Sequence, residues 1–103
     1  MNLNDFYIAK GTPLEYKKYE KYYIGGNAPG QWVFKFKNDY GASVIKHFGS
    51  YGYEKDLFEL AVIFFVDDNK WELSYNTPIT NDVIGWLTNE EVLKKLGEIK
   101  KLK

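Results

Sequence analysis

The chain has no cysteine and no arginine, a single histidine at His47, three prolines and one methionine. Without cysteine there is no disulfide framework, no thiolate nucleophile and no cysteine-held zinc or iron–sulfur centre, and one histidine cannot build a histidine-rich metal site. This cysteine usage fits the cytoplasm. Long apolar runs are also missing: the longest, Leu60 to Val66, has seven residues, against the roughly 20 that a membrane-spanning helix needs. The opening MNLNDFYIAKGTP carries Asp5 and no continuous apolar stretch before Lys10, so it does not read as a signal peptide. The expectation is a soluble, cytoplasmic protein with no membrane partner.

Aromatic side chains are abundant: 9 Tyr, 7 Phe and 3 Trp in 103 residues, within a chain that is 45% hydrophobic. That is enough apolar mass for one modest core and too much for disorder, so residues 1–103 read as a single domain. Net charge is zero, but unevenly distributed. Residues 1–53 hold seven lysines and four acids, residues 54–91 two lysines and nine acids, and residues 92–103 five lysines and one acid. The middle is acidic and both flanks are basic. Such a pattern either solubilises different faces or presents an acidic surface to a basic partner.

Residues 1–30 form a Tyr/Lys-rich extension. Pro13, with Thr12 as N-cap, and the spacing of Tyr16, Tyr19, Tyr22 and Tyr23 predict a short helix over 13–23, followed by a Gly/Asn/Pro loop. Residues 31–75 read as an antiparallel sheet. Trp32, Phe34 and Phe36 alternate with Val33, Lys35 and Lys37; Asn38 to Gly41 has turn chemistry; residues 42–48 alternate again. After a Gly/Tyr loop over 49–56, Leu57 to Val66 is apolar on both parities, as a central strand is. Asp67 to Lys70 makes a turn into Trp71 to Tyr75, with Trp71, Leu73 and Tyr75 inward. Pro78 breaks the sheet, and a short helical turn after Thr80 is expected to carry Val83, Ile84, Trp86 and Leu87 so that they cover one sheet face.

Thr88-Asn89-Glu90-Glu91 has capping-box spacing, which predicts a helix over 88–102 with Val92, Leu96 and Ile99 on one side. The fold class is therefore α+β: a four-stranded antiparallel meander, or a five-stranded one using part of residues 3–10 or 14–24, with a C-terminal helix on one face.

Candidate chemistry is sparse. Histidine is the one residue type whose unperturbed pKa lies near neutrality, which makes His47 the natural acid–base candidate, but Ser43 and Ser50 are its only nucleophilic neighbours in sequence, and Ser43 lies roughly 13 Å away along the strand. Asp39, Asp67 and Asp68 fit turns better than metal sites, since the spaced ligands and closing Glu of a calcium loop are missing. Glu59 and Glu72 on neighbouring strands are the one formal carboxylate pair. No glycine cluster leads into a phosphate-binding loop. No catalytic residue, cofactor or metal is expected.

One core cannot bury 19 large rings, so aromatic surface is the remaining candidate. Tyr51 and Tyr53 on the glycine loop, with Glu54, Asp56 and Glu59 beside them, form a candidate site for a basic protein partner. Tyr16, Tyr19 and Tyr22 with Lys17 and Lys18 form an alternative site, either for partner contact or as a stacking platform for single-stranded nucleic acid. Zero net charge and the absence of arginine, which makes the commonest specific base contact, weigh against nucleic acid.

YGASVIKH, the SYG loop, LFELAV and YNTPITNDVIGWLTNEEV, within residues 37–99, resemble a family of small uncharacterised proteins encoded by phages and prophages of Gram-positive bacteria. The resemblance implies a virus-encoded cytoplasmic protein and brings no catalytic residues. Small phage accessory proteins often bind host proteins, and many block immunity systems such as CRISPR nucleases. The expected function is thus a non-enzymatic, anti-CRISPR-like inhibitor that occludes a host protein, such as a basic defence nuclease. The Tyr/Lys-rich first 30 residues lie outside the resemblance.

Overall fold

A computed structural model describes residues 13–26, 30–47, 49–68, 70–74, 77–79 and 83–103. Among the described residues six strands, β1 (Tyr23–Gly25), β2 (Gln31–Lys35), β3 (Tyr40–Ile45), β4 (Phe58–Asp67), β5 (Lys70–Leu73) and β6 (Ile84–Leu87), precede one α-helix, α1 (Asn89–Lys100). All strand pairings are antiparallel, in the meander order β1-β2-β3-β4-β5. β6 pairs the start of β4, Phe58↔Leu87 and Leu60↔Ile84, while β5 pairs its end, Ile63↔Leu73 and Phe65↔Trp71. The long central strand thus carries two short strands end to end on one edge.

Strand alternation decides the layers. Phe34 and Phe36, Ala42 and Val44, and Phe58, Leu60 and Val62 point to one face, where they are buried together with Val92, Leu96 and Ile99 of α1. Burying each of those three helix side chains is worth about 2 kcal/mol. Val33, Ile63 and Phe65 are buried on the other face, with Trp71 packed against them. Trp71 therefore joins the second cluster, away from the helix side, and Leu73 is exposed.

The cap at Thr88 forms as the spacing predicts. Thr88 Oγ1 accepts from the Glu91 amide at 3.2 Å, and Glu91 Oε1 accepts from the Thr88 amide at 3.0 Å. These hydrogen bonds to Thr88 hold the Glu91 carboxyl below the usual glutamate range. At the far end Asn38 closes the helix. Its Nδ2 donates to the carbonyls of Ile99, Lys100 and Leu102 at 3.0, 3.2 and 2.9 Å, while its Oδ1 accepts from the Tyr40 amide at 3.0 Å. The β2–β3 turn is thereby tied to the helix C-terminus.

Two expected elements differ. The helix over 13–23 is instead a 3-10 turn, Lys17–Tyr22, with non-helical backbone at Tyr19, followed by β1. The tyrosines there pack inward, and β1 needs an extended chain from Tyr23 onward, so regular α-helix stops short. The helical turn expected over Val83, Ile84, Trp86 and Leu87 is strand β6. Between its two pairs with β4, β6 advances three residues where β4 advances two, a bulge that places Ile84 and Leu87 on the same face. Apolar residues three apart imitate helical period in a bulged strand. The Thr12 cap, a strand over 3–10, and the inward placement of Tyr75 fall outside the described residues.

Candidate interaction surface

The described part of the β3–β4 connection, residues 46–47 and 49–57, is a tightly tied loop. Gly52 sits at φ 97°, a left-handed conformation that opens the 3-10 turn Tyr53–Lys55. A β-carbon there would stand 3.0 Å from both Leu57 Cβ and Trp86 Cα, so the loop backbone lies directly on β6. The Gly52 carbonyl accepts from the amides of Lys55 at 3.0 Å and Leu57 at 2.9 Å. Ser50 Oγ accepts from the His47 amide at 3.1 Å and donates to the His47 carbonyl at 2.8 Å. The nearest hydroxyl to His47 in sequence thus closes a backbone turn.

The anchor of this loop is an ion pair. Lys46 has a fully buried side chain and pairs with Asp56, whose side chain is 42% exposed. The ammonium lies 4.6 Å from the centre of the Phe58 ring, an added cation–π contact. A buried ammonium needs its counter-charge, so Asp56 is tied inward rather than presented to a partner. Glu59 is committed too: its Oε1 accepts from the Tyr51 amide at 3.0 Å. Of the three acids predicted to face a partner, Glu54 is the one that stands exposed without such a structural bond to the loop.

These ties present Tyr51. Its ring stacks on Trp86 with centroids 5.3 Å apart and planes 28° from parallel. Tyr51 is 54% exposed and Trp86 56%, and among the described residues they are the two aromatic side chains more than half exposed. Gly85 makes the stack possible, because a β-carbon at that position would come within 2.5 Å of Tyr51 Cβ. Trp86 sits at φ 57°, a left-handed conformation that costs a bulky L-residue about 1–2 kcal/mol. The bulge thus turns a tryptophan outward at an energetic cost. Tyr53 is half-buried beside it. The hollow beside the stack, lined by Ser50, Glu54, Lys55 and Trp86 among others, measures about 220 Å³, below the usual span of small-molecule sites.

The alternative set is placed differently. Tyr19 is 6% exposed, edge-on to Phe36 at 6.3 Å. Tyr16 packs against Tyr23 at 4.6 Å and Phe34 at 5.6 Å, and Tyr22 against Phe36 at 5.0 Å. These rings extend the core, while Lys17 and Lys18 remain exposed. Glu59 and Glu72 do not converge either. Glu59 pairs Ile45 and Glu72 pairs Phe64, and positions 59 and 64 of one strand face opposite sides of the sheet.

Trp86, expected to cover a sheet face, instead stands exposed on β6. Its signal is the isolated Gly85 before it in an apolar run, which marks a bulge or close backbone approach. Among the described residues there is no group of three or more His, Asp or Glu side chains positioned to hold a metal ion. No described helix is long and apolar enough to cross a membrane. No protein-family model, curated protein or solved structure matches the chain.

Proposed function

We propose that the protein acts by surface contact, docking on a protein partner through the stacked Tyr51–Trp86 pair. The observation that carries this reading is that pair: two large rings, each more than half exposed, Tyr51 on a loop held by the Lys46–Asp56 ion pair and Trp86 strained on the edge strand β6. Rigid aromatic anchors of this kind dominate binding energy at protein interfaces, since they lose little conformational entropy on docking. Strain retained at an exposed residue points to a use for that residue. Glu54 on the same surface favours a partner with lysine or arginine at the contact.

The resemblance to phage and prophage proteins extends the reading. The protein is a non-enzymatic inhibitor acting in the host cytoplasm by occlusion, with a basic defence nuclease as the class of target. Affinity capture from host lysate, with and without a defence system expressed, tests it. The expected result is one stoichiometric partner recovered by the wild-type chain, kept by Lys17→Ala/Lys18→Ala and lost by Tyr51→Ala/Trp86→Ala. No stoichiometric partner, or a partner retained by the aromatic double variant, overturns it.

A further inference from the structure

Zero net charge belongs to the chain as a whole, and folding redistributes it. The Lys17–Tyr22 turn runs alongside α1. At one end the Glu15 amide donates to Asn89 Oδ1 at 2.7 Å. Midway, the Tyr19 hydroxyl occupies the space that a side chain at Gly97 would fill. At the other end Lys100 Nζ lies 5.1 Å from the Tyr22 ring centre and Lys21 Nζ lies 5.2 Å from it. The basic first segment and the basic last segment of the sequence, some 75 residues apart, therefore meet along one groove of about 720 Å³ whose cations are Lys18, Lys94, Lys100 and Lys101.

The acids of this groove do not cancel it. Glu98 is engaged by Lys95 at 3.3 Å, and Glu90, one helical turn before Lys94, lies at the start of the helix away from Lys100 and Lys101, so that four lysines line the groove against two acids. Asn38 donates to the last helix carbonyls, which removes acceptors that would otherwise compete with an anion there. The local field is felt by Tyr22, whose hydroxyl is pulled below the ordinary tyrosine range, first by hydrogen bonding to Lys100. Because β3 runs from the β2–β3 turn toward the loop that carries Tyr51, this cationic end lies at the opposite end of the sheet from the aromatic pair.

We propose that the groove between the Lys17–Tyr22 turn and α1 binds the phosphate backbone of single-stranded nucleic acid, without reading its sequence. Lys94 and Lys101 are seven residues apart on one helix, about 10 Å along its axis, the rise of about three stacked nucleotides. The groove contains lysine but no exposed ring: Tyr19 is buried and Leu93 half-buried. A protein partner would need an apolar anchor there, whereas a phosphate chain needs only cations. Absence of arginine removes bidentate base contacts and leaves backbone neutralisation intact. The site stands independently of the Tyr51–Trp86 reading.

The test is fluorescence anisotropy with the full chain and a fluorescein-labelled oligothymidylate of about 12 nucleotides at about 25 mM salt. Lys18→Glu/Lys101→Glu is compared with Lys55→Glu/Lys70→Glu, which changes net charge equally at exposed positions elsewhere. The expected result is saturable binding by the wild type, with log K falling by about 0.7 for each phosphate neutralised per log unit of salt, a slope near −2 to −3. The groove variant loses about tenfold or more, and the control stays within about twofold. Circular dichroism checks that both fold. No binding by the wild type, equal losses in the two variants, or equal displacement by polyglutamate at matched charge overturns the proposal.

Discussion

The chain has two tyrosine-rich stretches, and the fold uses them in opposite ways. Tyr16, Tyr19 and Tyr22 lie against Phe34 and Phe36 beneath the edge of α1, whereas Tyr51 lies on Trp86 facing solvent. Ring density is similar; what differs is what lies underneath. The first stretch flanks a helix and two core phenylalanines, so its rings find apolar neighbours. The second sits on a loop whose backbone is pinned against the bulged edge strand β6, leaving its ring outside. Aromatic abundance alone therefore says nothing about availability, and the difference can be attacked from both sides.

The largest effect belongs to the packed stretch. Tyr19→Ala removes a buried ring and is expected to cost about 3 kcal/mol in chemical denaturation, with partner binding by the folded fraction unchanged. Next comes the anchor of the exposed loop. Asp56→Ala removes the Asp56 carboxylate from the Lys46 ammonium, which stays buried against Phe58. Breaking a fully buried pair costs about 3–5 kcal/mol, and solvent access at Asp56 brings the expected loss to about 2 kcal/mol. Adding Lys46→Met should recover most of that loss, because the buried charge disappears. If the double variant is no more stable than Asp56→Ala, the ion pair is not what holds the loop.

Gly85→Ala should have a smaller effect on stability, about 1 kcal/mol, since the new methyl meets Tyr51 Cβ and the loop must shift. Its signature is optical: Trp86 fluorescence should change as the stack opens, and an unchanged spectrum would contradict the close approach. The gentlest probe is alkaline titration followed by tyrosinate absorbance. Tyr22 is pulled below its ordinary value, chiefly by Lys100, while burial pushes its neighbour Tyr23 up. Tyr22 thus ionises more readily folded than unfolded and adds stability as pH rises toward 10, its unperturbed value. Tyr23 ionises less readily folded, so its contribution is lost over the alkaline range. Tyr22→Phe should delete the early phase and leave the late one.

The hairpins and the capped helix were legible in the sequence because their signals are local: alternation in Gln31–Lys35, the almost unbroken apolar run that becomes Phe58–Asp67, turn residues at Asn38 and Asp39, and the Thr88 to Glu91 spacing. β6 was not, because a bulge at Trp86 places Ile84 and Leu87 on one face and so mimics helical period. That one irregularity also hid half of the candidate site, since the same bulge turns Trp86 outward. Tyr51 was visible as a ring on a glycine loop. The inward commitment of Asp56 and Glu59 was not, because it depends on Lys46 and the Tyr51 amide being brought to them by strand pairing. The convergence of the two basic flanks was hidden for the same reason.

The most direct test of function by surface contact is calorimetric titration of the captured partner against three chains: wild type, Tyr51→Ala/Trp86→Ala, and Lys17→Ala/Lys18→Ala. The aromatic double variant should fold as the wild type does, since both rings are more than half exposed. Its affinity should fall by about a hundredfold or more, as expected for paired hot-spot rings, with the lysine variant unaffected. Wild-type affinity in the aromatic variant, or a loss confined to the lysine variant, would contradict the account.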